Sequence, residues 1–463
     1  MGFQTFSPRD GRLLLTRDFA DSATVEDVMS ATEAAKQEWK KTPLERRIAL
    51  VQAMVDHFVA QGAEIARELS EQMGRPVGQT PGEVAGFQER AETMMALAPE
   101  ALADQQASEK DGFVRFVRAE PLGCVLVLAP WNYPYLCAVN AIVPALIAGN
   151  TVVLKHSDQT PLCAERLQAS ADASGLPQGV FQYLHISHAQ VAELVQDPRV
   201  DFVSFTGSVE GGKAVHEAAA GLFKAVGLEL GGKDPAYIRA DADPVYAGAN
   251  VADGAFFNAG QSCCAVERVY VHESIFDEVV AVMVAEAERL NLGDPLEPGV
   301  NLGPMVRPAA ADRVRAQVAD AVKAGAKALV DPSHFPKARP GTAYMAPQVL
   351  VDVNHDMAIM TEESFGPVVG VMKVSSDEEA LALMNDSNYG LTASIWSNDV
   401  EGAMALADRV ETGTVFLNRC DCLDPELAWV GIKNSGRGCT LSTLGYAHLT
   451  RPKSFHFRID TTQ

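Results

Sequence analysis

The segment from Asn258 to Ala265 reads Asn-Ala-Gly-Gln-Ser-Cys-Cys-Ala and places two adjacent thiols, Cys263 and Cys264, just after Gly-Gln. Cysteine packs well as a small apolar residue, and its thiolate is a strong nucleophile, so the pair has a structural and a chemical interpretation. Upstream, Glu229 lies between two leucines. Desolvation raises the pKa of a carboxyl group toward that of a general base, although a buried structural glutamate fits the same pattern. A nucleophile and its base are therefore one hypothesis for these residues.

Other polar residues follow short apolar runs of the chain. Asn132 follows the first run and precedes a helical stretch, where its carboxamide can donate a hydrogen bond to an anion or can simply stabilise a turn. Lys155 and Asp158 follow the second run, where they can bind the hydroxyls of a ribose or form a loop ion pair. Gly207 and Ser208 follow a later run and would let the backbone approach a pyrophosphate at a helix N-terminus.

The elements that must position these residues are buried strands alternating with helices. The apolar runs rich in Val and Leu cover residues 123–129, 151–155, 180–184 and 202–206 and, after residue 265, 268–272, 366–374, 391–396 and 413–418. Such alternation predicts an α/β fold with parallel sheets, which bind ligands at the carboxyl ends of their strands. Helical periodicity predicts helices over 24–75 and 82–105, and alternation over 112–118 predicts a half-exposed strand.

Composition limits the classes of function. The chain has 463 residues, of which 47% are hydrophobic and 21% charged, as in globular proteins of two or three domains. A net charge of −22 argues against nucleic-acid and acidic-membrane partners. The N-terminus lacks a signal-peptide pattern, no apolar run is long enough to span a membrane, and the eight cysteines are too sparse for a disulfide scaffold. These features predict a cytoplasmic protein with reduced thiols.

Six motifs together resemble the aldehyde dehydrogenase superfamily, in the order and at the spacing typical of that family. They are Pro130-Trp-Asn-Tyr-Pro134, Phe205-Thr-Gly-Ser208, Glu229-Leu-Gly-Gly-Lys233, Gly260-Gln-Ser-Cys263, Glu362-Glu-Ser-Phe-Gly-Pro367 and Asn388-Tyr-Gly-Leu391. The resemblance implies a doubly wound Rossmann-like cofactor domain, a second α/β catalytic domain and a small β oligomerisation element. We expect these parts at 1–105 with 121–230, at 231–435, and at 106–120 with 446–463.

The resemblance also assigns roles to individual residues. Cys263 matches the nucleophile and Glu229 the general base, Asn132 matches the oxyanion donor, and Cys264 is a neighbour without a catalytic role. The cofactor-binding positions that match are Trp131, Lys155, Asp158, Gly207, Ser208, Gly231, Glu363 and Phe365. Because an acid at Asp158 would repel a 2′-phosphate, we expect NAD to be preferred over NADP. The family more often has the longer Glu at this position, and because Asp binds the ribose hydroxyls less firmly, NADP is also admissible.

The sequence departs from the family pattern around the substrate and the proton path. Ala141 and Thr440 replace a lysine and a glutamate that are credited with proton relay, so we expect Glu229 to exchange its proton directly with water. A mostly apolar substrate tunnel is expected from Tyr133, Cys137, Leu423 and Trp429, for a medium or aromatic aldehyde. Arg419 leaves open the alternative that the substrate is a semialdehyde that carries a carboxylic acid.

The expected activity is NAD-dependent oxidation of an aldehyde to a carboxylic acid through a thioester on Cys263. A CoA-acylating dehydrogenase and a non-catalytic scaffold of the same fold are the alternatives, and Glu229 argues against the first because only a water acceptor needs a base. No metal site is expected, since neither His185 with His188 nor Cys420 with Cys422 belongs to a ligand cluster. We expect a homodimer or homotetramer with a small aldehyde as its ligand.

Overall fold

The computed structural model describes residues 2–461, so Met1 and the last two positions of the expected oligomerisation element lie outside the described residues. The helices, numbered in chain order, are α1 (Ser22–Lys41), α2 (Leu44–Ala60), α3 (Gly62–Met73), α4 (Pro81–Ala101), α5 (Pro134–Ala148), α6 (Leu162–Ser174), α7 (His188–Gln196), α8 (Val209–Ala218), α9 (Pro244–Phe256), α10 (Phe276–Glu288), α11 (Pro308–Lys323), α12 (Ala358–Thr361), α13 (Asp377–Asn385), α14 (Val400–Ala407) and α15 (Ser442–His448).

The strands belong to two large parallel sheets and three small antiparallel ones. They are β1 (Gly2–Phe6), β2 (Leu13–Asp18), β3 (Gln105–Gln106), β4 (Phe113–Pro121), β5 (Cys124–Ala129), β6 (Thr151–His156), β7 (Phe181–Tyr183), β8 (Phe202–Thr206), β9 (Ala225–Glu229), β10 (Asp234–Ile238), β11 (Val266–His272), β12 (Lys327–Ala328), β13 (Gln348–Val351), β14 (Val368–Val374), β15 (Tyr389–Gly390), β16 (Thr392–Trp396), β17 (Thr414–Leu417), β18 (Ile432–Lys433), β19 (Gly436–Arg437) and β20 (Thr450–Arg458).

The first large sheet has the order β19-β9-β8-β5-β6-β7, in which all neighbours except β19 are parallel. The chain moves outward from β5 in one direction through β6 and β7 and then returns to β8 on its other side. This reversal makes the sheet doubly wound and opens a crevice between the carboxyl ends of β5 and β8, which is where such sheets bind ligands. The expected α/β class with a Rossmann-like sheet is confirmed.

Alternating side chains of this sheet build two separate apolar cores. Val125 and Val127 of β5 pack with helices α2, α4, α5 and α6, whereas Leu126 and Leu128 pack on the opposite face with α7 and α8. Because both faces are covered, the strand reads as a continuous apolar run, which is why the sequence identified it.

The second large sheet has the order β12-β13-β14-β11-β10-β16-β17 and is parallel except for β12. Its core includes residues of α9, α10 and α11 and is the largest in the protein. The helices expected over 24–75 are α1, α2 and α3, with breaks at Thr42–Pro43 and Gln61.

Two features of the sheets were not indicated by the sequence. Strands β1 and β2 form an N-terminal hairpin, and β19 joins the first large sheet although it comes near the end of the chain. The C-terminal strand β20 pairs along its whole length with β4 of the same chain, in a three-stranded sheet completed by β3. Among residues 2–461, no helix combines the length and the apolar character needed to cross a membrane.

Candidate active site

The residues singled out from the sequence converge where the two large sheets meet. Asn132 follows β5, Ser208 follows β8, and Glu229 ends β9, while Cys263 comes from the loop between α9 and β11. A cavity of about 370 Å³ is lined by ten of the expected residues, namely Trp131, Asn132, Cys137, Gly207, Ser208, Glu229, Gly231, Cys263, Glu363 and Phe365. A second cavity of about 500 Å³ is also lined by Cys263 and Glu229. Cys263 therefore lies where two cavities meet.

A strained turn presents Cys263. Asn258 and Ala259 have left-handed backbone angles, with φ of 52° and 56°, just before Gly260 and Gln261. The side chain of Gln261 fixes the segment, since its Oε1 accepts a hydrogen bond from the Val306 N–H at 2.8 Å. Positive φ angles at residues other than glycine are uncommon and persist only where surrounding contacts hold them, as these do.

The neighbouring Cys264 has a different environment. It is buried, and its Sγ donates a hydrogen bond to Oδ1 of Asp421 at 2.8 Å, which also accepts one from the Ser262 hydroxyl at 3.0 Å. The contact with Cys263 and burial together raise the pKa of the Cys264 thiol well above its ordinary value. A buried thiol with a high pKa is a poor nucleophile, so the geometry favours Cys263 of the two.

Asn132 is buried and held by the loop of Cys263. Its Nδ2 donates to the carbonyl of Gln261 at 3.1 Å, and its own carbonyl accepts from the Asn258 amide at 3.3 Å. These bonds tie the turn after β5 to the cysteine loop across the junction of the sheets. One amide hydrogen of Asn132 is used in this contact, so the group has a second hydrogen for an anion.

A buried ion pair that the sequence did not reveal supports the same turn. Arg75 contacts Glu83 at 2.6 Å, with both side chains almost fully buried, and Arg75 also donates to the carbonyl of Asn132 at 2.5 Å. Glu83 accepts hydrogen bonds from the N–H groups of Tyr135 and Leu136, at the start of α5. The carboxylate thus satisfies free donors of the helix N-terminus, where a negative charge is favourable.

Glu229 is held by two threonine hydroxyls. Thr440 Oγ1 donates to Oε1 at 2.5 Å, and Thr206 Oγ1 donates to Oε2 at 3.1 Å. Desolvation raises the pKa of Glu229 above its ordinary value, while the two hydrogen bonds act in the opposite direction. Thr440, noted in the sequence only as a departure from the family pattern, is a direct partner of this carboxylate. Within residues 2–461, neither a lysine nor another acid hydrogen-bonds to Glu229.

The far side of the first cavity is closed by the loop that carries Glu363 and Phe365. The Glu363 carboxylate accepts from the Gly232 N–H at 3.2 Å, and a Cβ at Gly231 would lie 2.3 Å from a carboxylate oxygen of Glu363, so a larger residue at 231 would displace that carboxylate. Burial, followed by repulsion from Glu267, raises the pKa of Glu363 to about 7. The ring of Phe365 meets that of Trp131 edge-on, with centroids 5.7 Å apart.

A third cavity of about 430 Å³ lies over the helical layer of α7 and α8 and is lined by Trp131, Lys155, Gly207 and Ser208. Asp158 is absent from its wall and instead forms an ion pair with Lys155, at 3.0 Å between Nζ and Oδ1. Ser208 caps α8 by accepting from the Gly211 N–H at 3.1 Å. His188, considered in the sequence only as a metal ligand, lines this cavity, and His185 pairs with Glu165.

All five residues expected in the substrate tunnel line the second cavity, namely Tyr133, Cys137, Arg419, Leu423 and Trp429. The sequence did not indicate the polar residues Glu89, Arg90, Asp253 and Asp421, which also line this cavity. These polar residues come from α4, α9 and the loop after β17, and only the tertiary fold brings them together. Cys420 and Cys422 line the same cavity, and among residues 2–461 no three metal-ligating side chains are grouped.

Comparison with known proteins agrees with this geometry. The model of the aldehyde dehydrogenase family matches residues 1–455. An aldehyde dehydrogenase of Paenarthrobacter nicotinovorans is 36% identical over 459 residues, which cover 98% of this chain and 99% of the relative. A succinate-semialdehyde dehydrogenase [NADP(+)] of Deinococcus radiodurans is 34% identical over 97% of this chain and 94% of its own.

A solved structure leads to the same result. The succinic semialdehyde dehydrogenase from Streptococcus pyogenes in complex with NADP+ superimposes with a TM-score of 0.94 at 30% identity, covering 98% of this chain and all of that one. Matches of this extent, to the family model and to whole relatives, show that the chain belongs to the aldehyde dehydrogenase family.

Proposed function

We propose that the protein oxidises an aldehyde to a carboxylic acid with a nicotinamide cofactor, using Cys263 as nucleophile and Glu229 as base. The observation that carries this proposal is the position of Cys263, which lines both the cavity of Trp131 and Glu363 and the tunnel of Tyr133 and Trp429. A nucleophile at such a junction can meet a cofactor from one side and a substrate from the other.

The residues present fit a dinucleotide. The first and third cavities share Trp131, Thr206, Gly207 and Ser208, so they form one cleft along the carboxyl ends of β5 and β8. Gly231 leaves the space that the Glu363 carboxylate occupies, and that carboxylate would bind the ribose next to the nicotinamide. Lys155 would contact the adenosine ribose. When bound, the nicotinamide supplies a two-electron acceptor for hydride.

In the first half of the proposed reaction, the Cys263 thiolate attacks the aldehyde carbon, and the carbonyl electron pair moves to the oxygen. The free amide hydrogen of Asn132 and the backbone N–H of Cys263 would stabilise that oxyanion, an interaction often worth about 3 kcal/mol per donor. When the oxyanion collapses, the C–H bond breaks with loss of hydride to the cofactor, and a thioester of Cys263 remains.

In the second half, water attacks the thioester while Glu229 removes a proton from that water. The tetrahedral species then expels the Cys263 thiolate, and the carboxylic acid leaves through the tunnel. Because burial raises the pKa of Glu229, its carboxylate is a stronger base than an exposed one. With Ala141 and Thr440 in place of the relay residues, we propose that the proton passes from Glu229 directly to water.

The test compares Cys263→Ala with Cys264→Ala. We expect Cys263→Ala to lose aldehyde-dependent reduction of the cofactor by more than about a thousandfold, because no other group can form the thioester. Cys264→Ala should retain most of the rate. Equal losses in the two variants, or full activity of Cys263→Ala, would overturn the proposal. Acyl-CoA formed on addition of CoA would instead point to the acylating alternative.

For the cofactor, we propose that NAD is preferred and that NADP is accepted. The carboxylate of Asp158 next to Lys155 supports a preference for NAD. It offsets the positive charge of Lys155, which a 2′-phosphate would need as its partner. Relatives named as NADP(+) enzymes, together with Ser157 and His188 in the wall of the adenosine cavity, support acceptance of NADP.

For the substrate, an aldehyde that carries a carboxylate is a second candidate beside a neutral one. Arg419 lines the tunnel and has no ion pair or hydrogen bond to its guanidinium among residues 2–461. Replacing it in Arg419→Gln should raise the KM for succinic semialdehyde about tenfold while leaving that for butanal unchanged, since only the first loses an ionic contact. Equal effects on both aldehydes would exclude this candidate.

We also propose the domain division stated from the sequence, and a homodimer or homotetramer that uses the sheet of β4 and β20.

A further inference from the structure

Two charged side chains that the proposed reaction does not use lie buried next to the loop of Glu363. Lys233 directly precedes β10, and Glu267 belongs to β11. Their side chains are 1% and 3% exposed, and Nζ of Lys233 lies 2.5 Å from Oε2 of Glu267. A buried ion pair adds little to stability on balance, because the desolvation of both charges offsets their attraction. The pair therefore needs an explanation other than stability.

The Glu267 carboxylate binds the backbone of the loop 362–367, which we call the Glu363 loop. Its oxygens accept from the N–H of Ser364 at 2.8 Å and from the N–H of Phe365 at 2.8 Å. Phe365 has a left-handed backbone, with φ of 51°, which residues other than glycine rarely adopt. Lys233 adds a hydrogen bond of 3.1 Å from its Nζ to the Ser364 hydroxyl. The ion pair thus holds the loop in a conformation that needs support from its surroundings.

The residue that precedes these two N–H groups is the one that faces the cofactor cleft. The Glu363 carboxylate lines the first cavity, whereas neither Glu267 nor Lys233 lines it. Within residues 2–461, the Gly232 N–H makes the only hydrogen bond to this carboxylate, at 3.2 Å. Two carboxylate oxygens can accept about four hydrogen bonds, so the group has capacity left for the hydroxyls of a ribose.

We propose that Glu267, fixed by Lys233, is a positioning residue that holds the Glu363 carboxylate where it binds the ribose next to the nicotinamide. Glu267 lies outside the cleft and acts through the two N–H groups that follow Glu363 in the chain. The inference rests on the proposed function in one respect, namely that the cleft binds a nicotinamide dinucleotide. It adds a residue that controls this binding without touching the ligand.

The charge of Glu267 has a second effect on Glu363. Burial, followed by repulsion from Glu267, raises the pKa of Glu363 to about 7. The groups near Glu363 that carry or can acquire a charge are Glu267, Lys233, Arg313 and Tyr389. A ribose hydroxyl binds a carboxylate more strongly than the neutral acid, so the affinity for NAD should fall as the pH drops through about 7.

Two ligands separate positioning from a general loss of structure. NAD contains the ribose next to the nicotinamide, and ADP does not. In calorimetric titrations at pH 8 without an aldehyde, we expect Glu267→Gln to weaken NAD about tenfold and to leave ADP unchanged, because only NAD reaches Glu363. Asp377→Asn, which removes a carboxylate paired with Arg239, is the matched control and should bind both ligands as the unaltered protein does.

A double variant tests whether Glu267 acts through Glu363. Glu363→Gln alone should weaken NAD about tenfold, and Glu267→Gln combined with Glu363→Gln should bind NAD no more weakly than Glu363→Gln does. Losses that multiply in the double variant would mean that Glu267 acts by another route and would contradict the inference.

The pH dependence tests the effect of the charge. The unaltered protein should bind NAD more weakly at pH 6 than at pH 8. In Glu267→Gln the repulsion is absent and the pKa of Glu363 is lower, so the loss of affinity should move to lower pH. Glu363→Gln cannot ionise and should show no such loss. A purely structural role of Glu267 would leave the pH of this transition unchanged.

If Glu267→Gln does not fold, because Lys233 is left buried and unpaired, Lys233→Met combined with Glu267→Gln removes both charges, and the same loss of NAD affinity is expected. Circular dichroism identifies the folded variants. Equal weakening of NAD and ADP, or unchanged NAD affinity and pH dependence in the variants without the Glu267 charge, would overturn this inference alone. Absence of NAD and NADP binding in the unaltered protein would overturn the proposed function, and the inference with it.

Discussion

At the scale of single residues, the environment of Glu229 determines how its carboxylate can act as a base. Burial raises its pKa, and the Thr440 hydroxyl at 2.5 Å and the Thr206 hydroxyl at 3.1 Å lower it, because both donate to the charged form. Thr440 therefore adjusts the pKa of the carboxylate that we propose as the base. The hydrogen bond from Thr440 can be removed by a substitution that changes the size of that side chain little.

We expect Thr440→Val to move the acidic limb of the pH–rate profile to higher pH. The base acts as a carboxylate, so the rate falls as the pH drops through the pKa of Glu229, and loss of a donor to the carboxylate raises that pKa. Measurement of kcat from pH 5 to 9 checks this. Thr440→Ser keeps the hydroxyl and should retain the original profile; an unshifted limb in Thr440→Val would show that the bond does not affect the base.

Asp158 provides the second prediction at this scale. Asp158→Ser removes the carboxylate paired with Lys155 and leaves the lysine charge available to a 2′-phosphate. We expect the ratio of kcat/KM for NADP to that for NAD to rise about tenfold, which corresponds to about 1.4 kcal/mol. Asp172→Asn, an exposed acid on α6, is the control. A clear preference for NADP in the unaltered protein would contradict the proposed order of cofactors.

At the scale of elements, the turn between β5 and α5 depends on an ion pair from segments far away in sequence, namely Arg75 in the loop after α3 and Glu83 in α4. Glu83 of α4 accepts from the first N–H groups of α5, and Arg75 links Glu83 to the carbonyl of Asn132. The start of α5 and Asn132, the proposed oxyanion donor, are thus held by one buried network. Partly dismantling such a network leaves a buried charge without its partner.

We expect Glu83→Gln to destabilise the protein by about 3–5 kcal/mol, because Arg75 would stay buried and unpaired. A thermal unfolding midpoint lowered by several degrees is the measurement. The rate should fall as well, since the Asn132 carbonyl loses its fixed position. Glu38→Gln removes an exposed partner of Lys41 and should leave the midpoint unchanged. Equal midpoints for the two variants would mean that the Arg75–Glu83 pair does not contribute to the stability of the protein.

At the scale of the whole molecule, local patterns in the sequence located strands β5 to β8, β11, β14, β16 and β17, and the residues that follow them. Runs such as 124–129 are apolar because both faces of the sheet are covered, so the carboxyl end and Asn132 could be located without knowledge of the fold. The pair Arg75–Glu83 and the contact of Cys264 with Asp421 could not be located. Each depends on contacts between segments distant in the chain, which local periodicity does not encode.

The assembly of the molecule can be argued from its three-stranded sheet. Val114 and Phe116 of β4 lie opposite Phe457 and Phe455 of β20, so the four side chains share one face, and Phe116 and Phe455 stack at 4.5 Å. Phe457 is 54% exposed and Val114 41% exposed. Exposed apolar residues clustered on an edge sheet mark surfaces that pair with another chain.

We therefore expect a dimer or larger oligomer by light scattering, and we expect Phe457→Glu to dissociate it at micromolar concentration, because a charge would have to be buried in an apolar contact. Phe223→Glu is the matched control: Phe223 is also exposed but lies outside this sheet, in the loop after α8, and its replacement should leave the mass unchanged. If Phe457→Glu keeps the mass of the unaltered protein, the assembly uses another surface. If the unaltered protein is a monomer, the sheet has no partner, and the exposed face of β4 and β20 must serve a different contact.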